Sequence, residues 1–203
     1  MAFIAGEQKM ANFYLTGGTA LAAYYLSHRV SDDLDFFCFE ETDNIFLHAL
    51  AERLKTEISA ESLRYERLYD RNQYFFHIGQ DDLKVEFSRY PFKQLENVKL
   101  VGGARVDSFR DVAANKLMAL IDRFDPKDFV DMFFILKKAR LADIRKDVEL
   151  KFGMKIDDIF LGGELAKAKR IEALPQMICP VTKEELKTFF GELAKELSLD
   201  IFK

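Results

Sequence analysis

Two neighbouring stretches decide the fold of this chain: LTGGTAL at residues 15–21 and HRVSDDLDF at residues 28–36. The first predicts a strand that ends in a glycine turn and opens into a helix, because glycine adopts backbone conformations that other residues avoid. The second predicts a strand with Asp33 and Asp35 on one face, their Cα atoms roughly 6.6 Å apart. Helix starts bind phosphate oxygens, and paired carboxylates bind Mg²⁺ or Mn²⁺. The two stretches therefore predict a site for a nucleoside triphosphate (NTP) and its metal ion.

Composition predicts a globular protein that works in the cytoplasm. Of 203 residues, 49% are hydrophobic and 32% are charged, which is typical of a soluble domain. No apolar run approaches the roughly 20 residues that span a bilayer, and the first residues lack the cationic start of a signal peptide. Cys38 and Cys179 have no ligand spacing and predict no disulfide framework. We therefore expect no membrane partner.

Charge is distributed unevenly along the chain. Residues 1–83 carry 7 basic and 14 acidic side chains, whereas residues 84–151 carry 15 basic and 11 acidic ones. An acidic part that binds metal beside a mildly basic part suits a polyanionic substrate. A mixed, solvated surface is the alternative interpretation of the same counts.

The periodicity predicts strands first and helices later. Strands are predicted at 12–16, 33–39, 62–69, 73–79 and 83–89, and helices at 19–27, 44–57, 108–123, 125–138 and 182–197. The short connectors between the last three strands predict antiparallel hairpins. The fold class is therefore α+β: a short mixed sheet forms the core over residues 1–140. A mainly helical C-terminal extension over 141–203 packs on that core as one compact unit.

Glu86 is the predicted third carboxylate of the metal site. Alternation along its strand places Glu86 opposite Val85 and Phe87. Three acids from two strands can hold one or two metal ions. An exposed glutamate on a solvated sheet face is the alternative.

Further along the chain, Lys116 and two aspartates are candidates for phosphate chemistry. Lys116 is surrounded by small and apolar helix neighbours, so its ammonium can meet a triphosphate; a solvated lysine is the alternative. Asp128 and Asp131 share one helix face. Asp131 can orient Lys116 or Arg29, or hold a base or a metal-bound water. For Asp128, a role limited to helix capping is the alternative interpretation. Arg29 can reach a phosphate, whereas the three histidines predict no catalytic role.

With these residues, the chain resembles the nucleotidyltransferase superfamily of the polymerase-β-like fold, and within it the AbiEii/AbiGii toxin family. The superfamily pattern is Gly-Gly followed by Asp-x-Asp. The family pattern lies at residues 15–21, 28–36, 116–120 and 126–131, in the expected order. The resemblance covers roughly residues 12–140.

The resemblance implies transfer of a nucleoside monophosphate (NMP) from an NTP, with release of pyrophosphate. It implies a metal held by Asp33, Asp35 and Glu86, and catalytic roles for these three. Lys116 and either Asp128 or Asp131 match the family's downstream lysine and aspartate, so the resemblance implies catalytic roles for them as well. The NTP-contacting residues are then Gly17, Gly18, Thr19, Arg29, Ser31 and Lys116. The acceptor is a hydroxyl on RNA, such as tRNA, or on protein, and an antitoxin protein is the expected partner.

Two other functions share the same residues. A non-catalytic nucleotide-binding regulator keeps the pocket without turnover. A small-molecule nucleotidyltransferase of the antibiotic-modifying kind uses the same site on a different acceptor. The reaction products distinguish the three functions: the regulator forms none, and the small-molecule enzyme modifies an aminoglycoside but not RNA.

Overall fold

The computed structural model describes residues 2–199, and their contacts group the chain into two compact units. Unit 1 comprises Met1–Ala20 and Ser31–Ser108, and unit 2 comprises Leu21–Val30 and Phe109–Lys203. Residues 1 and 200–203, the outer ends of the two predicted domains, lie outside the described residues. The predicted division at residue 140 stays a prediction.

Unit 1 contains a seven-stranded mixed sheet, so the α+β prediction is confirmed. The strands are β1 Tyr14–Thr16, β2 Asp33–Cys38, β3 Ser62–Leu68, β4 Arg71–Ile78, β5 Asp81–Arg89, β6 Lys99–Val101 and β7 Ala104–Val106. Their order is β3-β4-β5-β2-β1-β7-β6. β2 pairs in parallel with β5, and β1 with β7, while the other neighbours are antiparallel. The predicted hairpins β3–β4 and β4–β5 are confirmed.

The helices of unit 1 begin where the sequence provides caps or turns. They are α1 Ala2–Ala5, α2 Gly17–Leu21 and α3 Asn44–Glu57. Asp43 is the N-cap of α3, because its carboxylate accepts a hydrogen bond of 3.0 Å from the backbone N–H of Phe46. The predicted helix over 19–27 occurs as α2 followed by one π-helical turn, Ala22–Leu26, and Leu21 and that turn group with unit 2.

The sheet register separates an apolar row from a polar row. Residues paired across a ladder point to the same face of a sheet. One row is apolar and buried: Leu15, Phe36 and Phe87. The next row lies on the opposite face and is polar: Thr16, Asp35, Glu86 and Gln73. The polar row is therefore placed by the same register that buries the apolar row.

Unit 2 is built from helices around its own apolar core. They are α4 Phe109–Asp122, α5 Pro126–Leu136, α6 Leu141–Phe152, α7 Asp158–Leu165 and α8 Lys183–Leu199. Phe129 of α5 meets Phe190 of α8 edge to face, with ring centroids 5.3 Å apart, and both are fully buried. A capping box begins α8, since Thr182 and Glu185 exchange hydrogen bonds. Within residues 2–199, no helix combines the length and apolar character needed to cross a membrane.

Candidate active site

Asp33 and Asp35 lie on one face of β2, and both face Lys84 of the neighbouring strand β5. The Lys84 Nζ lies 3.7 Å from Asp33 Oδ2 and 3.8 Å from Asp35 Oδ1. This follows from the parallel register, which places Asp33 opposite Lys84 and Asp35 opposite Glu86. The Asp33 side chain is 42% exposed and that of Asp35 24%, so solvent reaches the carboxylate pair.

Gly17 places the turn between β1 and α2 directly against Asp35. Its φ is +68°, and a Cβ at this position would lie 2.6 Å from Asp35 Oδ2. Both the backbone conformation and the space therefore require glycine. Gly18 follows as a buried residue of α2. The glycine pair thus brings bare backbone to the carboxylates, as a phosphate site needs.

Thr19 and Ser31 connect the start of α2 to the start of β2. The Thr19 hydroxyl donates to the main-chain carbonyl of Asp33 and lies 3.0 Å from the Ser31 hydroxyl. These bonds fix the carboxylate strand relative to the glycine turn. Contact of Thr19 or Ser31 with a nucleotide stays a prediction.

Glu86 is buried, and both of its carboxylate oxygens accept hydrogen bonds. Its Oε1 accepts from Arg71 Nε at 2.6 Å and Ser88 Oγ at 2.8 Å. Its Oε2 accepts from Arg71 Nη2 and Gln73 Nε2, both at 2.8 Å. Burial by itself raises the pKa of this carboxyl, but the hydrogen bonds and the Arg71 charge outweigh burial and lower the pKa to about 2. The solvated alternative for Glu86 therefore does not hold, and its roles as third metal ligand and as catalytic residue stay predictions.

The carboxylate oxygens of Asp33 and Asp35 are suitable ligands for a magnesium ion that binds together with a triphosphate. Within residues 2–199, no three His, Cys, Asp or Glu side chains converge as a ready metal site. Magnesium usually needs only one or two carboxylates, because substrate phosphates and waters complete its coordination. Asp33 and Asp35 supply those two, and the Lys84 ammonium beside them marks a place that accommodates a cation.

Unit 2 contains a separate, buried cluster of charges around Asp131. Its Oδ1 lies 2.7 Å from both His28 Nε2 and Arg29 Nε. Its Oδ2 lies 2.9 Å from Arg29 Nη2 and 2.6 Å from Lys116 Nζ. Burial raises the pKa of the Asp131 carboxyl, but Lys116, His28 and Arg29 outweigh burial and hold the pKa well below its usual range.

Lys116 joins Asp131 to Asp128 in this cluster. Its Nζ lies 3.0 Å from Asp128 Oδ1, and Asp128 also accepts from Arg123 Nε at 2.9 Å. Burial disfavours the ammonium, yet the Asp131 and Asp128 carboxylates outweigh burial and raise the pKa of Lys116. Lys116 is therefore not a solvated lysine. Asp128 does more than cap α5, because Asp125 is the residue whose side chain accepts from the backbone there.

The structure uses Arg29 and His28 differently from the sequence-based expectation. The Arg29 guanidinium is 3% exposed and fully engaged by Asp131 and the carbonyl of Val30, so a phosphate contact stays a prediction. The sequence predicts no catalytic role for His28, yet this side chain is fully buried against Asp131. Its Nδ1 has no hydrogen-bond partner among residues 2–199.

Sequence reasoning missed the polar residues that surround Glu86. Arg71 and Gln73 lie on β4, and no spacing relates them to Glu86 before the antiparallel register is known. Lys84 was detectable, because it lies two residues before Glu86 and so shares its strand face.

Comparisons with known proteins identify the family of this chain. The model of a family described as "Nucleotidyl transferase AbiEii toxin, Type IV TA system" matches residues 2–200. An uncharacterized protein of Aquifex aeolicus (strain VF5), aq_aa25, is 32% identical over 147 residues. That match covers 70% of this chain and 66% of the relative, just under two thirds of its length.

Solved structures share the fold. A protein from H. pylori described as a proposed nucleotidyltransferase superposes with a TM-score of 0.67 at 20% identity, covering 100% of this chain and 94% of that one. MenT4, a nucleotidyltransferase toxin from Mycobacterium tuberculosis H37Rv, superposes with a TM-score of 0.57 at 17% identity, covering 92% and 75%. The match over almost the whole chain shows that this protein belongs to the AbiEii nucleotidyltransferase toxin family.

Proposed function

We propose that this protein transfers NMP from an NTP to a hydroxyl acceptor and releases pyrophosphate, in a reaction that depends on a divalent metal. The observation that carries the proposal is the carboxylate pair of Asp33 and Asp35 against the backbone of Gly17, in a chain of the AbiEii family. In the reaction, the acceptor oxygen forms a bond to the α-phosphorus, and the bond from that phosphorus to pyrophosphate breaks. The proton of the hydroxyl passes to water.

The residues of unit 1 have distinct proposed roles. Asp33 and Asp35 hold the metal, which when bound supplies positive charge that offsets the charge on the phosphate oxygens. Gly17 and Gly18 present backbone N–H groups to phosphate. Thr19 keeps this turn in register with β2. Glu86 is bound by Arg71 on both oxygens, so as a ligand or base it would first have to be released.

Lys116 forms the second part of the proposal together with Asp128 or Asp131, either of which matches the downstream aspartate of the family; we take Asp131 first, because its carboxylate lies nearer the Lys116 ammonium. Their buried ion pair keeps the lysine charged and the aspartate ionised, which is the state that phosphate chemistry requires. Removing either one leaves an uncompensated buried charge, which typically costs 3–5 kcal/mol. Asp33 and Asp35 therefore allow the cleaner test of function.

The acceptor and the partner are also proposals. RNA, such as tRNA, or protein supplies the hydroxyl, an antitoxin protein controls the activity, and the reaction takes place in the cytoplasm. Support for a toxin comes from the family description and from MenT4, which is described as a nucleotidyltransferase toxin.

The test is label transfer from each α-labelled NTP with magnesium, total RNA and cell lysate. We expect label in RNA or protein with the wild-type chain, and a loss of at least about a hundredfold in Asp35→Ala and in Asp33→Asn/Asp35→Asn. Asp32→Asn removes the same charge one residue away, at an exposed position, and should transfer normally.

Nucleotide binding without any labelled product contradicts the proposal and favours the non-catalytic regulator. When an aminoglycoside is added to the same assay, label in it but not in RNA or protein would leave NMP transfer standing and overturn only the proposed acceptor, in favour of the small-molecule transferase. A large drop in the melting temperature of Asp35→Ala without magnesium would show that Asp35 is structural.

A further inference from the structure

Lys84 is the basic side chain placed among the carboxylates of the candidate metal site. Its Nζ lies 3.7 Å from Asp33 Oδ2, 3.8 Å from Asp35 Oδ1 and 3.4 Å from Glu86 Oε2. These three distances are similar, and each exceeds the usual 2.7–2.9 Å of a charged hydrogen bond. The ammonium therefore lies between the acids and is not tightly bound to one of them.

The charge of Lys84 acts mainly on Asp33 and Asp35, because Glu86 already has another cationic partner. Arg71 neutralises Glu86 through two hydrogen bonds. Lys84 stands directly opposite Asp33 in the β2–β5 ladder, so its position follows from the register of the sheet. Its side chain is 20% exposed, and a four-carbon stem can move the ammonium toward solvent.

We propose that Lys84 is an internal counter-cation that competes with the divalent metal for Asp33 and Asp35. The inference rests on the proposed function and concerns how the same site is regulated. Magnesium needs ligand oxygens at 2.0–2.1 Å in a nearly octahedral arrangement, and an ammonium beside the same two oxygens opposes it by charge and by space. The metal alone therefore binds weakly.

A bound triphosphate changes this balance. Its negative charge offsets the repulsion between the metal and Lys84 and offers the displaced ammonium an anionic partner. Metal and nucleotide then load together, and the site does not retain a metal without its substrate. Lys84 thereby acts as a positioning residue for the carboxylates.

The test measures Mn²⁺ binding to the full chain without nucleotide, by electron paramagnetic resonance of free Mn²⁺. Lys84→Met should bind Mn²⁺ at least about tenfold more tightly than the wild type, because a unit charge about 4 Å from a dication opposes binding even in water. Lys84→Arg keeps the charge and should bind like the wild type. Lys93→Met changes the net charge equally at an exposed position and should also leave binding unchanged.

A second readout is the melting temperature without metal. Lys84→Met leaves Asp33 and Asp35 without this counter-charge, so its melting temperature should fall and should rise more on Mn²⁺ addition than that of the wild type. Lys84→Gln serves as the second variant if Lys84→Met does not fold. Asp33→Asn/Asp35→Asn should lose the Mn²⁺ response.

Equal or weaker Mn²⁺ binding by a folded Lys84→Met or Lys84→Gln overturns the inference, and so does an absence of binding in both variant and wild type. Tighter binding through Asp33 and Asp35 without any NMP transfer supports the inference while the proposed function fails. If the wild type transfers NMP but binds Mn²⁺ no more weakly than Lys84→Met does, the proposed function stands and the inference about Lys84 falls.

Discussion

Gly17 is the position in the candidate site where both the backbone and the neighbouring carboxylate exclude a side chain. Its φ of +68° disfavours any side chain, and the position of a Cβ overlaps Asp35 Oδ2 at 2.6 Å. Gly79 has a similar φ of +64°, but no described atom lies within 4 Å of a Cβ there. Alanine at Gly79 therefore tests backbone strain alone, whereas alanine at Gly17 tests backbone strain together with the overlap with Asp35.

We expect Gly79→Ala to cost roughly 1–2 kcal/mol of unfolding free energy, from strain alone. Gly17→Ala should cost more and should also weaken Mn²⁺ binding and NMP transfer, because Asp35 has to move. Urea unfolding and Mn²⁺ titration of both variants check this. Equal stability losses with unchanged Mn²⁺ affinity would show that Asp35 does not depend on the glycine turn.

The lowered pKa of Glu86 predicts how the free energy of unfolding changes at acidic pH. Its pKa is lowered from 4.5 to about 2 in the folded chain, so its ionised form contributes stability above about pH 4.5 that is lost as the pH falls toward 2. The shift corresponds to about 3 kcal/mol. Glu86→Gln should therefore be less stable than the wild type at pH 7, and the difference should shrink toward pH 2.

Urea unfolding from pH 7 to pH 2.5 measures this difference. Glu57→Gln, at an exposed position, should show a small and nearly constant difference over the same range. A gap between Glu86→Gln and the wild type that does not change with pH would mean that Arg71 does not hold Glu86 ionised.

At the scale of elements, the start of α5 positions the aspartates of the buried cluster. The Asp125 carboxylate accepts from the backbone N–H of Lys127 at 2.8 Å, and Pro126 occupies the first turn. Asp128 lies in the first turn of α5 and Asp131 in the second, on the same helix face, and both carboxylates contact Lys116. A cap formed by one half-buried residue therefore supports a buried ionic network.

Removing this cap should loosen the first turn of α5. Asp125→Ala should lower the unfolding free energy by about 1 kcal/mol, which is roughly 2–4 °C in melting temperature for a chain of this size. Asp125→Ser keeps a capping oxygen and should retain most of the stability. If Asp125→Ser is as unstable as Asp125→Ala, the charge of Asp125 and not its capping bond matters.

At the scale of the whole molecule, unit 2 depends on helices from the end of the chain. Phe190 and Leu186 of α8, and Ile144 and Val148 of α6, are buried in its core. A fragment of residues 1–140 keeps α4 and α5 but loses these partners. We expect the fragment to bind a hydrophobic dye and to unfold without a cooperative transition, unlike the full chain. Cooperative unfolding of the fragment alone would establish 1–140 as an independent core.

The sequence predicted elements well where periodicity or capping residues are strong. The bounds of α3 and β5 differ from their predictions by no more than two residues, and the caps Asp43 and Asp125 are present. The strand Ala104–Val106 was missed because three residues carry too little alternation. The π-helical turn Ala22–Leu26 was predicted as ordinary helix, since helix propensity does not distinguish the two hydrogen-bond patterns.

What the sequence by itself determined is the local chemistry of the candidate site: the glycine turn, two aspartates on one strand face, and Asp128 and Asp131 on one face of α5. The contact of both aspartates with Lys116 joins α5 to α4 and is therefore tertiary. Local periods of two and 3.6 residues place such neighbours without any tertiary information. Only the tertiary structure decided the partners, because the β4–β5 and β2–β5 registers bring Arg71 and Lys84 to the acids. Whether a carboxylate faces a metal, an arginine or a lysine depends on strands distant in sequence, and their register is set by burial of the apolar row.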